Sequence, residues 1–131
     1  DKKAVAAYAK IVADDSLPQA FRDMALIRQV TAEFDSMKPE QVVAKLKPLA
    51  QPGHPWFGSA GELTAMAYLK MGKEDVAGPI FAQIAGQEDL PPNLRARATQ
   101  MAGALGVDAV QLGDGEGQLN ANGNAAAQGE N

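Results

Sequence analysis

Apolar residues recur every three or four positions through the first 105 residues and then thin out, a pattern that predicts six helices followed by a polar tail. The first helix runs from about Lys2 to Ala13, with Val5, Tyr8 and Val12 on one face. The second follows Pro18, a residue suited to a helix's first turn, and extends to about Phe34 with Phe21, Met24, Ile27, Val30 and Phe34 buried or half-buried. Pro39 opens a third with Val42, Val43, Leu46 and Leu49. Pro55 opens a fourth, where Trp56, Ala60, Leu63 and Ala67 share a face. The fifth, about Glu74 to Ala85, carries Val76, Ala77, Ile80, Phe81, Ile84 and Ala85 as a core stripe. Pro79 within it is an oddity, since a proline forgoes a backbone hydrogen bond and normally kinks a helix interior, although it lies near enough to the start for a first-turn placement. The sixth opens at Pro91-Pro92 and ends near Gly106, with Leu94, Ala98, Met101 and Leu105 facing inward.

Residues 65–85, AMAYLKMGKEDVAGPIFAQIA, show how two of these helices should meet. Ala65 and Tyr68 sit on one helix, Gly72 closes it, and Ala77 and Phe81 recur four apart on the next. An alanine at the crossing lets the backbones approach, and one large ring fills the space above it. The spacing resembles the tetratricopeptide repeat, with two departures: Gly61 and Thr64 stand where that family has Trp and Leu. The resemblance implies an all-α fold of antiparallel helix hairpins stacked as a short, TPR-like right-handed solenoid.

Internal repetition supports repeats. Shifted by 73 positions, the stretch from Tyr8 lies without gaps over the stretch from Phe81, with six identities in 23 positions. The pairs are Ala9/Ala82, Ile11/Ile84, Leu17/Leu90, Pro18/Pro91, Arg22/Arg95 and Ala25/Ala98. The first helix thus matches the second half of a hairpin, so this chain is expected to be the C-terminal part of a longer protein.

Charge and composition narrow the function classes. The net charge of −4 resides in the tail: residues 106–131 hold Asp108, Asp114, Glu116 and Glu130 and no Lys or Arg, which leaves residues 1–105 formally neutral. A neutral body with an acidic tail argues against nucleic acid as a partner, because phosphate binding needs clustered cations. No cysteine is present, so no disulfide framework or thiolate metal site can form. No apolar run is long enough to span a membrane, so no membrane insertion by this segment is expected. With six Gly, five Ala, four Asn and three Gln, residues 106–131 form an acidic tail that is expected to be disordered, leaving residues 1–105 as the helical repeat domain.

The segments LKPLAQPGHPWFGSAGELTAMAYLKMGK and LPPNLRARATQM, with their Pro-Trp and Leu-Pro-Pro helix starts and Lys-Met-Gly turn, resemble a narrower family. That family is the TPR-like domain of bacterial ancillary Sec translocon subunits and their alphaproteobacterial relatives, and the likeness covers roughly residues 4–105. It implies an anchor in the bacterial inner membrane upstream of this segment and a domain on the periplasmic side. It also implies that the partners are other proteins, such as Sec translocon components or periplasmic chaperones. The unpaired first helix gives the alternative expectation, a self-assembly domain that forms a homo-oligomer and has no separate peptide-binding role.

Candidate chemistry is sparse, and neither an enzyme nor a cofactor is expected. His54, the sole histidine, reads as a solvated loop residue because no other imidazole or thiol can join it at a metal. Asp114-Gly115-Glu116 lacks the alternating series of a calcium loop. Asp14-Asp15 and Glu88-Asp89 precede helix starts, where acids suit the macrodipole. Arg95 and Arg97 lie about 200° apart on a helix and read as a solvated pair.

The surface expected to carry function is the groove lined by the first helix of each hairpin. The repeat register places Glu62, Met66, Leu69 and Lys70 there; the following repeat adds Gln100, and the preceding one adds Asp23, Ile27 and Val30. The best-known TPR clamps grip a C-terminal carboxylate with Lys and Asn at such positions. Here Asp23, Glu62 and Ala96 occupy the place where Lys would be needed, which disfavours that mode and suits an apolar, basic peptide or helix. The same apolar residues would equally serve as covered core.

Overall fold

The computed structural model describes residues 1–107. Among these the chain is all-helical, with α1 (Lys2–Ala13), α2 (Gln19–Glu33), α3 (Pro39–Leu46), α4 (Phe57–Lys70), α5 (Glu74–Ala85) and α6 (Pro92–Ala104). The expected tail lies outside the described residues apart from its first two positions. The chain divides into two compact units, Asp1–Ala77 and Gly78–Asn131, so the division falls inside α5 and across the expected 1–105 domain.

In the first unit each helix start has a local cause. The Asp1 carboxylate accepts from the amides of Lys3 (2.7 Å) and Ala4 (3.2 Å), capping α1. Asp14 turns the chain by accepting from the Ser16 hydroxyl and amide, and these bonds hold its carboxyl below the usual value. Pro18 then takes the N-cap position of α2 with φ −57° and ψ 144°, and its carbonyl receives the amides of Phe21 and Arg22 at 3.1 Å. Pro39 is the first residue of α3, where its missing N–H costs nothing. Asp1, Lys2, Val5 and Ala6 at the start of α1 border a shallow depression with Ala32, Glu33 and Ser36 at the end of α2, so these two helices are antiparallel.

The core of this unit is built from three helices and one loop. Ile27 and Val30 of α2, Val42 and Leu46 of α3, Leu49 of the following loop, and Ala60 and Ala67 of α4 cluster together. Phe34, Met37, Trp56 and Leu63 pack around them. Small residues on α4 bring its backbone close to its neighbours, and Ala60 and Ala67 are wholly buried. Thr64 is also buried on this helix, and among the described residues its hydroxyl has no hydrogen-bond partner.

Two contacts fix the direction of α2 against α4. At one end His54, just before α4, lies 3.7 Å from Asp23 near the start of α2. At the other, the Lys70 ammonium stands 4.6 Å from the centre of the Phe34 ring and donates to the Phe34 carbonyl at 3.4 Å. Start meets start and end meets end, so α2 and α4 run parallel.

The second unit is an antiparallel hairpin of the α5 residues from Gly78 onward with α6. Arg95, near the start of α6, donates to the carbonyl of Ala85 at the end of α5 (3.5 Å). At the opposite end, a Cβ added to Gly78 would stand 2.8 Å from Val107 Cγ2 and 3.5 Å from Leu105 Cβ. Only a residue without a side chain lets the chain beyond α6 settle there. Phe81, Ala82 and Ile84 of α5 and Leu94, Ala98 and Ala102 of α6 are buried.

Three sequence expectations change. Phe21, expected to be at least half-buried, is 43% exposed, and Val76, expected in the core stripe, is 36% exposed. Period alone marks a face as apolar without fixing which edge of it meets a neighbour. Pro79 is the sixth residue of α5 rather than part of its first turn, and its ring is exposed.

Candidate interaction face of the first unit

The outward surface of α2 and α4 follows from their parallel pairing and the 100° step between residues. On α4, Met66 lies about 200° from buried Thr64 by helical geometry, at the centre of the solvent face, and is 39% exposed. Ser59, Glu62 and Leu69 flank it and are half-buried. On α2, Ile27 and Phe34 meet the core, which turns Phe21, Arg28 and Thr31 outward with half-buried Met24 among them. Together the two outward faces carry the large apolar groups Phe21, Met24 and Met66 and the exposed cations Arg28 and Lys70.

The candidate residues read from sequence separate on this structure. Met66 and Lys70 are exposed and Leu69 is half-buried, all on α4. Glu62 is half-buried and engaged in an interaction of its own. Gln100 is exposed on α6 in the second unit. Ile27 (7% exposed) and Val30 (0%) are core residues, so the covered-core alternative holds for both and neither is available to a partner. Carrying the register across 73 positions preserved the chain's identities but not its helical phase, and on α2 the outward positions lie one residue further round. Arg28 and Thr31 occupy the places expected for Ile27 and Val30.

Asp23 is corrected too. Only 9% exposed, it does not stand on a groove rim: Gln19 Nε2 donates to its Oδ1 at 2.7 Å, and its Oδ2 faces His54 Nε2 at 3.7 Å. Arg22 extends the chain of contacts, donating to Gln19 Oε1 (2.8 Å) and to the Leu17 carbonyl (3.1 Å). The acid expected to repel a carboxylate ligand is thus consumed internally.

His54 is likewise no solvated loop residue. Its Nδ1 accepts the Trp56 amide at 3.0 Å, at the threshold of α4. An amide can only donate, so Nδ1 carries no proton and the ring proton of the neutral imidazole sits on Nε2, toward Asp23. The Nδ1 lone pair is thus taken up by the Trp56 amide, and Nε2 lies 3.7 Å from the Asp23 carboxylate. Nothing in the sequence signalled this pair, because Asp23 and His54 are joined only by the packing of α2 against the loop before α4.

The sequence matches no protein-family model, and searches of curated proteins and of solved structures return no significant match to either.

Proposed function

We propose that this chain is a non-enzymatic protein-interaction module whose hairpins stack as a TPR-like right-handed solenoid and whose α2/α4 face receives an apolar segment of another protein. The observation that carries the reading is the exposure of both Phe21 and Met66, 43% and 39%, on the outward faces of two parallel helices. Single exposed apolar residues are ordinary on protein surfaces, but several aligned on one face favour a partner. Methionine suits such a face because its flexible thioether adapts to varied side chains. Two parallel helices side by side offer a shallow trough in which a helix or extended peptide can lie.

The wider setting we propose rests on the resemblance of the Pro-Trp, Lys-Met-Gly and Leu-Pro-Pro segments: a membrane-anchored bacterial envelope protein, its domain periplasmic, with translocon or chaperone-network components as partners. Co-purification from the native host tests the face. Met66→Asp and Phe21→Asp, both at exposed positions, should each deplete the recovered partners while leaving the unfolding midpoint unchanged. Undiminished recovery with both would remove this face from the account.

A second reading has its own observation. No residue of α1 is buried, and Val5, Tyr8 and Val12 are only half-covered, so α1 could instead pair with a second copy. Sedimentation distinguishes the two: self-assembly through α1 requires a concentration-dependent oligomer that Tyr8→Lys dissolves.

A further inference from the structure

We propose that His54 is a proton-sensitive joint between α2 and α4, the deprotonated ring locking the start of α4 and the protonated ring releasing it. The described geometry accepts one protonation state. Neutral His54 receives the Trp56 amide at Nδ1 (3.0 Å), with its Nε2 3.7 Å from the Asp23 carboxylate. Adding a proton puts an N–H on Nδ1 that points directly at the N–H of Trp56, donor against donor, and that bond must break.

The two neighbours then pull in opposite directions. From α2, the charged group facing the ring is Asp23, which attracts the imidazolium. From the loop and α4, the facing group is the Trp56 amide, which can pair only with the neutral ring. Protonation therefore exchanges a loop contact for a stronger tie to α2 and does not simply loosen the structure. What moves is Trp56, which occupies the N-cap position of α4 and packs against the core cluster. Asp23 is held for this role, since Gln19 fixes its other oxygen at 2.7 Å and Arg22 in turn fixes Gln19 at 2.8 Å. The outward face of α4 begins within two turns of this joint, so a shift of Trp56 would be felt at Ser59 and Glu62.

The composition makes the test unambiguous, because the chain has one histidine and one tryptophan. Long-range proton–nitrogen NMR spectra of the intact chain report the imidazole tautomer, and the Trp56 amide and indole fluorescence report the joint. The expected result is an Nε2–H tautomer at high pH and a Trp56 amide that moves with the same midpoint as the ring. His54→Asn keeps an acceptor for the amide two residues on, as in an Asx turn, but cannot titrate; both Trp56 signals should lose their pH dependence across this range. An Nδ1–H tautomer, a Trp56 amide that stays still while the ring titrates, or pH dependence that survives in His54→Asn would each overturn the proposal.

Discussion

Gly72 and Gly106 stand thirty-four residues apart and end α4 and α6 with the same left-handed turn, at φ 73° and 83°. In each, the residue after the glycine reaches back across it: Lys73 donates to the Tyr68 carbonyl at 2.9 Å and Val107 to that of Ala102 at 2.8 Å. The glycine amides close the inner bonds, to Leu69 (2.9 Å) and Gly103 (3.0 Å). This is the Schellman arrangement, and its recurrence thirty-four residues on is a physical trace of repetition in the chain. Pro18 and Pro91 give another, taking nearly identical backbone angles (φ −57°, ψ 144° and φ −56°, ψ 140°) before α2 and α6.

Glycine substitutions should therefore split by sign. Gly72→Ala forces a Cβ into a left-handed conformation and should destabilise by roughly 1 kcal/mol. Gly103 lies inside α6 with no atom within 4 Å of an added Cβ, so Gly103→Ala should instead stabilise by about 0.5–1 kcal/mol through helix propensity. Urea unfolding of both variants checks the pair, and a shared sign would contradict the cap assignment.

A second pair of positions is coupled. Gly78→Ala places a methyl 2.8 Å from Val107 Cγ2, closer than unstrained contact permits. On its own it should fail to deliver the propensity gain of about 1 kcal/mol. In a Val107→Ala background the obstruction is gone and the gain should appear. A double-mutant cycle measures this coupling directly, and additivity would mean that Val107 does not sit over Gly78.

Thr64 offers a test of an unmet polar group. Thr64→Val preserves shape, removes a buried hydroxyl that has no partner, and should stabilise the first unit by about 1–2 kcal/mol. Thermal unfolding would show a raised midpoint; a lowered one would mean that the hydroxyl is satisfied in solution.

Core substitutions should follow burial. Phe81 is 1% exposed, so Phe81→Ala should cost about 3–5 kcal/mol. Ala77 is fully buried, and Ala77→Leu should overpack its site at a cost of about 1–3 kcal/mol. Wild-type midpoints for both, in chemical denaturation, would contradict the packing of α5.

The helices were legible from sequence because prolines and glycines mark their ends. Pro18, Pro39, Pro91, Gly72 and Gly106 act through backbone geometry alone, without reference to any neighbour. Burial was less legible. Ile27 and Phe21 look alike as apolar residues on one helix, and only the position of α3 and α4 sends Ile27 inward and leaves Phe21 out. The Asp23–His54 pair was invisible for the same reason, since it exists only where α2 meets the loop before α4. The choice of Ile27 and Val30 for the groove failed by one residue of helical phase, a rotation of about 100° that turns an outward position into the core.

The central claim, that the α2/α4 face binds another protein, is tested most directly by site-specific photo-cross-linking in the native host. One cross-linking residue replaces Met66 on this face, and a second replaces Glu40, exposed on α3. The account predicts a discrete adduct from position 66 that is absent from position 40 and disappears when Phe21→Asp is added. Identical adducts from both positions, or an adduct at position 66 that persists with Phe21→Asp, would contradict it.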